Sequence, residues 1–315
     1  MSTIQAIRVH GYGGPEQLRL ESVPCPEPQE GEVLLRVYAI GVNPIDWKIR
    51  AGLLQDFFPK QFPYIPGYDV AGIVEGVGPG VTTWSVGQEV FGQGTKGTYA
   101  EYIVTAASAL APKPTAISFA EAAAIPVGAM TAWKALFQDG GLQAGQRVLV
   151  LGAAGGVGAF AVQLAKWGGA QVIGTASTAN LAFVRSLGAE QVIDYTTTPI
   201  TSTALVERAV QAVDLVIDGV GGEVGRSALA VVRRGGKLIS LVEPPAPELA
   251  QRYGVETMMV QSPPPEDCLK TIARLVDEGQ LRVTTGRIFP FREVREAHML
   301  SQTGHGRGRI VLQLD

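Results

Sequence analysis

Cysteine and histidine are both scarce in this chain of 315 residues: Cys25 and Cys268 are the two cysteines, and His10, His298 and His305 the three histidines. Neither cysteine stands in a paired spacing, which excludes a disulfide framework and a structural zinc lobe built from four neighbouring thiolates. No histidine has a second ligand type at helical or hairpin spacing, so no metal site is expected. Charge is sparse as well. Lys and Arg number 26 against 29 Asp and Glu, a net −3 with 17% charged residues, and without a basic excess nothing draws the phosphate backbone of a nucleic acid. Apolar residues make up 46%, yet no run approaches the roughly 18 needed to cross a bilayer, so a membrane is not an expected partner. The first ten residues alternate like a strand (Ile4, Ala6, Val9) instead of placing a basic stretch before an apolar one. No secretory signal is read there, and a cytosolic location is expected.

Glycine and proline, 39 and 20 in number, are abundant and fall between short β-rich segments. At ~150 residues per domain the length suggests two domains. Residues 32–39, 71–77, 89–91 and 99–104 are rich in Val, Ile and Tyr and bounded by Gly or Pro, which predicts a compact all-β module of the barrel type. Ser118, with Glu121 three residues later, then opens an Ala-rich helix, and Pro126 starts a second that runs to about Gln138 and ends at Asp139-Gly140-Gly141. Beyond it strands and helices alternate. Strands are predicted over 147–151, 171–175, 191–193, 213–218, 237–242 and 255–260, with helices over 156–167, 178–187 and 223–231. Such interleaving implies an α/β fold with a doubly wound parallel sheet. The tail reads as a helix over 266–278, a strand near 282–289, a helix after Phe291 and a strand over 309–312. It is too short for a core of its own and is expected to complete the N-terminal module, so that 1–122 and 262–315 flank an inserted domain, 123–261.

The strongest local signal is Leu149-Val150-Leu151-Gly152-Ala153-Ala154-Gly155-Gly156-Val157-Gly158, a buried strand running through glycines into a helix. In the G-x-G-x-x-G register Ala153 takes the first position, and Gly155 and Gly158 are retained. Ala154, Gly155, Gly156 and Val157 would let backbone approach a pyrophosphate at the positive end of the helix. The next strand ends in Gly174-Thr175-Ala176-Ser177-Thr178, with no Asp or Glu to hold an unphosphorylated ribose. NADPH is therefore expected over NADH. Ser177, Thr178 and Asn180 either donate hydrogen bonds to its 2′-phosphate or cap the following helix.

Residues 152–166, together with 41–48 (Gly-Val-Asn-Pro-Ile-Asp-Trp-Lys), 66–72 (Pro-Gly-Tyr-Asp-Val-Ala-Gly) and 304–311 (Gly-His-Gly-Arg-Gly-Arg-Ile-Val), resemble the medium-chain dehydrogenase/reductase superfamily. The likeness covers essentially the whole chain and is to the zinc-independent, quinone-oxidoreductase-like branch. It implies a GroES-like catalytic domain made by both ends of the chain, with a Rossmann domain inserted. By the same resemblance Asn43 and Asp46 line or brace the pocket. Tyr68 is the candidate donor to a substrate oxygen, or else a ring filling that volume. Thr131 would lie beside the nicotinamide, with Gly219, Val220, Gly221 and Leu241 near its ribose and Met259 and Val260 at its border. Tyr195 would flank the adenosine phosphate, and Arg309 matches a basic residue used near the cofactor. Pairing through 255–260 would make a homodimer.

The departures from zinc alcohol dehydrogenases are informative. Asn43 stands where those enzymes place a zinc-binding Cys, Tyr68 and Asp69 where they place a His-Glu pair, and no cysteine cluster follows Phe91. With no Tyr-x-x-x-Lys either, nothing lowers the pKa of an alcohol for oxidation. The expected acceptor is one that carries its own activation, a quinone or an α,β-unsaturated carbonyl compound. Two alternatives stand beside it: an enoyl-thioester reductase of fatty-acid or polyketide type, whose basic entrance for a phosphopantetheine arm is not evident, and a non-catalytic NADPH-binding redox sensor.

Overall fold

The computed structural model describes residues 2–198, 200, 212–304 and 306–314; His305 lies outside the described residues. The chain forms two compact units. The first comprises Met1–Val127, Leu269–Glu278 and Val283–Asp315, and the second Gly128–Cys268 with Gly279–Arg282. The units therefore part within the helix Pro126–Trp133, not at 122/123, and most of the helix Cys268–Asp277 goes with the first unit.

In the first unit the strand Glu32–Val42 organises a seven-stranded sheet. Val33, Leu35 and Val37 alternate inward, as a half-covered strand requires, and the last four residues are all buried. It pairs antiparallel with Asp69–Val77, with Tyr102–Ala106 and with the C-terminal strand Arg309–Gln313, Ile310 facing Val42 and Leu312 facing Ile40. Thr285–Pro290 then lies parallel to Arg309–Gln313. The tail thus completes the N-terminal module, and Phe289, Phe291 and Leu312 share one core with Val33, Leu35 and Val74. The predicted strand over 99–104 begins only at Tyr102, because Tyr99 and Ala100 turn to bond Thr3–Val9.

Among the elements not predicted are the strand Leu18–Pro24 and the helix Pro44–Arg50. Leu18–Pro24 pairs with Thr3–Val9, but only Leu18 of it is buried, so it shows no apolar alternation. The helix Pro44–Arg50 is seven residues long, too short for a period to emerge. Its local chemistry is nevertheless clear: Pro44 stands at the first helical position and Asn43 caps it, with the Asp46 carboxylate reaching back to the Asn43 N–H.

The second unit carries a six-stranded sheet in which every neighbouring pair is parallel, in the order Gln191–Asp194, Gln171–Ala176, Arg147–Leu151, Val213–Asp218, Val232–Ser240, Glu256–Met259. The first of these in the chain sits inside the sheet, so the winding reverses between Arg147–Leu151 and Val213–Asp218. Ligands bind at such reversals, beyond the C-terminal ends of the strands. The helix after the glycine turn begins at Gly158, two residues later than predicted, because Gly155 to Val157 belong to the turn. The helix from Pro126 is α only to Trp133 and continues as a π-helix over Lys134–Asp139, closed by Gly140 N–H to Ala135 O at 3.1 Å. Among the described residues no helix is long and apolar enough to cross a membrane.

Candidate functional site

The predicted dinucleotide residues of the second unit gather along one edge of its sheet. Leu151, Ala176, Asp194, Asp218, Ser240 and Met259 end the six strands, in register Asp194 to Ala176, Asp218 to Leu151 and to Ser240, and Ser240 to Met259. Residues immediately beyond a parallel strand leave the sheet on the same side, so the turns at 152–158, 177–180, 219–221 and 241–242 share this edge with Tyr195 and Val260. Gly219, Val220 and Tyr195 are exposed there, Leu241 and Val260 half-buried, and Met259 is exposed. Thr131 is half-buried on the helix Pro126–Trp133.

The glycine turn is anchored from behind. Gly152, at φ 74°, donates its N–H to Thr175 Oγ1 at 3.0 Å, and Ala153 N–H to Thr175 O at 3.0 Å. A Cβ on Gly158 would come within 2.2 Å of Gly152 O, so only glycine lets the helix start this close to the strand. One on Gly155 would meet only Gly152 O, at 3.2 Å. That bare backbone beside a helix N-terminus fits a pyrophosphate held by Ala154, Gly155, Gly156 and Val157. The turn at 219–221 is held by Asp218, whose Oδ1 accepts from Val220 N–H at 2.9 Å and Gly221 N–H at 2.8 Å.

Beside the end of Gln171–Ala176 the structure adds an acid. Asp194, at the end of the neighbouring strand, accepts from Thr178 Oγ1 at 2.6 Å and from the Thr196 N–H and hydroxyl, and these bonds hold its carboxyl below the usual range. Sequence reasoning looked for an acid at the end of one strand and missed the one supplied by the next. The Thr178 hydroxyl is thereby engaged, while Asn180 Nδ2 donates to Ser177 Oγ at 3.1 Å.

The first unit holds a buried polar network. Asn43 Nδ2 donates to Asp69 Oδ2 at 3.0 Å. Arg309 donates to the same oxygen at 2.8 Å, to Asn43 Oδ1, and to Ala124 O at 3.1 Å. Val127 N–H takes Asp69 Oδ1 at 2.9 Å. Arg309, expected near the cofactor, is thus 4% exposed and committed to a carboxylate of its own unit. Asp46 Oδ2 accepts from Asn43 N–H at 2.8 Å and from the Tyr99 hydroxyl at 3.1 Å, whereas its Oδ1 has no partner. Behind Tyr99 stand His298, at 3.1 Å, and Arg50. Tyr99, His298 and Arg50 gave no signal in the sequence, since His298 lies 199 and 248 positions from its partners.

Beside this network a cavity of about 190 Å³ is lined by Asp46, Lys60, Tyr64, Tyr68, Thr95 and Lys96 among others. Asp46 and Tyr68 are among its lining residues, and Asn43 braces Asp46 from behind. The Tyr64 hydroxyl is buried without a partner, and that of Tyr68 has none among the described residues. Burial pushes both phenols up, so they remain neutral donors.

Burial lifts the Asp46 carboxyl to about 7, with the Asp69 charge adding to the rise, and lifts Asp69 to about 6, restrained by Arg309. Burial also lowers His298 to about 3. A raised carboxyl favours folding below about pH 4, and this contribution is lost as pH rises through 7; the His298 contribution is instead present above about 6.5 and lost as pH falls toward 3. Asp46→Asn, which imitates the protonated acid, is therefore expected to raise the thermal midpoint at pH 8 and to lose that advantage towards pH 4. Melting curves across this range check it; an equal shift at both ends would contradict a buried, proton-retaining Asp46.

Residues 29–115 match the family described as alcohol dehydrogenase GroES-like domain, and 187–312 the one described as zinc-binding dehydrogenase. The chain is 33% identical to the quinone-oxidoreductase homolog, chloroplastic, of Spinacia oleracea, over 98% of each chain. It is 36% identical to the NADPH-dependent alkenal/one oxidoreductase, chloroplastic, of Arabidopsis thaliana, over 96% of this chain and 77% of that one. The solved quinone oxidoreductase from Coxiella burnetii superposes with a TM-score of 0.89 at 32% identity, covering both chains completely. The zinc in the second family's description does not fit the donors present here. Asn43 offers a neutral amide, Tyr68 a phenol, and Asp69 a carboxylate already paired with the Arg309 guanidinium. Among the described residues no three of His, Cys, Asp or Glu are grouped to hold a metal. With its two-part GroES-like module, its inserted parallel sheet and these relatives along its full length, the chain belongs to the medium-chain dehydrogenase/reductase superfamily, in the quinone-oxidoreductase-like branch.

Proposed function

We propose that the protein is an NADPH-dependent oxidoreductase that delivers a hydride to a quinone or an α,β-unsaturated carbonyl compound without a metal. The observation that carries this reading is the cavity of the first unit, whose polar lining offers phenols and a protonatable carboxyl in place of metal ligands. When bound, the reduced nicotinamide supplies the hydride. The second unit's task is to hold the dinucleotide: Ala154 to Val157 take the pyrophosphate, while Gly219, Val220, Gly221, Leu241, Met259 and Val260 with Thr131 bound the nicotinamide half. Ser177 and Asn180 serve the 2′-phosphate and Tyr195 flanks it, while the Thr178 hydroxyl is taken up by Asp194. NADPH is favoured by the absence of an acid at the end of Gln171–Ala176 and by the cofactor named for the Arabidopsis relative.

In the first unit Tyr68 donates a hydrogen bond to the substrate oxygen as charge develops on it. Its raised pKa keeps the donor proton in place. One hydrogen bond to a charged oxygen is worth about 1.5–3 kcal/mol, so Tyr68→Phe is expected to lower kcat about 10- to 100-fold and to leave NADPH affinity unchanged. Equal rates would reduce the ring to a filler of space. The reading as a whole is tested by following NADPH absorbance with a panel of quinones, enones and enoyl thioesters, and by comparing NADPH with NADH. Oxidation with none of them would leave only a binding protein. The same reading takes the protein as a cytosolic homodimer; Glu256–Met259 is the outer strand of its sheet and, among the described residues, leaves an edge open to a second copy.

A further inference from the structure

An acceptor that gains a hydride must also gain a proton, and the donor Tyr68 is too weak an acid to give its own away. We propose that Asp46 is the general acid of the reaction, its Oδ1 proton passing to the oxygen of a substrate bound in the cavity beside Tyr64 and Tyr68. The assignment rests on the hydride-transfer reading above.

The geometry leaves the proton one place to be. Asp46 is 2% exposed and lines the cavity, with Oδ1 buried just behind its wall, so the transfer requires a bound substrate to displace the wall over that oxygen. Its Oδ2 receives two hydrogen bonds, from Asn43 N–H and the Tyr99 hydroxyl, so the acid hydrogen sits on the unpartnered Oδ1. The groups behind Tyr99 fix that direction. Arg50 Nε donates to His298 Nδ1 at 3.4 Å, which makes Nε2 the donor to the Tyr99 oxygen at 3.1 Å, which in turn aims the Tyr99 hydrogen at Asp46. Two donors therefore already point at Oδ2 when the carboxylate forms, and no reorganisation is required.

Titration of this acid is set by every charged or titratable group around it. Asp69 and Arg309 act from one side, Tyr99 with His298 and Arg50 from behind, and Tyr64 and Tyr68 with the ammonium groups of Lys60 and Lys96 from the cavity wall. Burial and the Asp69 charge lift the carboxyl to about 7, in the operating range a general acid needs. The step balances. The hydride pair enters at the β-carbon, the C=C pair shifts to make the enolate, and the Oδ1–H bond breaks with its electrons left on Asp46. The proton forms the enol O–H, the nicotinamide is oxidised by two electrons, and water restores the acid.

The test is kcat against pH from 5.5 to 9, with an enone and a quinone as acceptors, for the wild type, Asp46→Asn and Tyr99→Phe. Wild-type kcat is expected to fall above about pH 7. Asp46→Asn should lower kcat about 100-fold, abolish that break and leave the NADPH dissociation constant unchanged. Tyr99→Phe, which removes a donor to the carboxylate, should move the break upward, and it carries the test alone if Asp46→Asn does not fold. Independently of turnover, carbon-13 NMR of the cofactor-free protein should show one aspartate carboxyl titrating near 7 that Asp46→Asn deletes. Wild-type kcat in Asp46→Asn, or a break that survives there or stays unmoved in Tyr99→Phe, overturns the assignment alone. A wild type that reduces no acceptor, whatever the NMR titration, overturns the hydride reading and the assignment with it.

Discussion

Arg309→Leu is expected to destabilise the folded chain by about 3–5 kcal/mol, the usual cost of breaking a buried ion pair from one side. The side chains of Arg309 and Asp69 are 4% and 0% exposed, and their contact is 2.8 Å. Leucine would leave the Asp69 carboxylate in the interior with Asn43 Nδ2 and Val127 N–H as its only donors among the described residues, neither of them charged. It would also remove the Arg309 donors to Ala124 O and Asn43 Oδ1. Lysine is no remedy, because one ammonium cannot reproduce a planar fork that serves three acceptors. Asp69→Asn placed on top of Arg309→Leu removes the stranded charge, so the double variant should recover part of the loss, with a coupling of 1–3 kcal/mol, on the order typical of residues in one network. Urea unfolding of the four proteins measures this cycle. A single variant within about 1 kcal/mol of wild type would mean that the pair is a passive neighbour of the core.

The same residue explains how both ends of the chain make one site. Arg309 opens the last strand, Asn43 caps the helix Pro44–Arg50 and Asp69 opens the strand Asp69–Val77, and all three meet through one guanidinium. The return of the tail was legible in the sequence because residues 262–315 have no core of their own. The parallel sheet was legible because its strands are short apolar runs punctuated by glycine, and because the residues that follow parallel strands must share an edge. The positions of Asn43, Asp46 and Tyr68 came from the family likeness, which marks places but not partners. What Asp46 does there depends on Tyr99 and His298, 53 positions from Asp46 and 199 from Tyr99 respectively, and no periodicity links residues so separated. Arg309 shows the limit from the other side. Likeness sent it towards the cofactor, whereas burial among an amide, a carboxylate and a carbonyl assigns it to holding the catalytic unit together.

Gly155→Val and Gly158→Val, three positions apart in one turn, are expected to fail in different ways. At Gly155 a Cβ would find one tight neighbour, Gly152 O at 3.2 Å, and the backbone is not left-handed. The fold should accept the valine, leaving the thermal midpoint of the cofactor-free protein within a few degrees of wild type. The branched side chain would instead stand where a pyrophosphate must approach the peptide backbone. Losing one or two charge-assisted hydrogen bonds, at about 1.5–3 kcal/mol each, raises the NADPH dissociation constant at least about 10-fold, and by roughly 100-fold or more where two are lost. At Gly158 the Cβ would lie 2.2 Å from Gly152 O and 2.9 Å from Ala153 Cα, both backbone atoms with no rotamer to change. The helix Gly158–Trp167 would have to lift from the strand Arg147–Leu151, whose residues Val148 to Leu151 are all buried. Loss of several kcal/mol is expected there, on the scale of severe overpacking, with poor folding before any question of binding arises. Calorimetric titration with NADPH alongside thermal unfolding separates the two. If Gly155→Val bound NADPH as tightly as wild type while folding normally, the pyrophosphate would have to lie elsewhere on this edge.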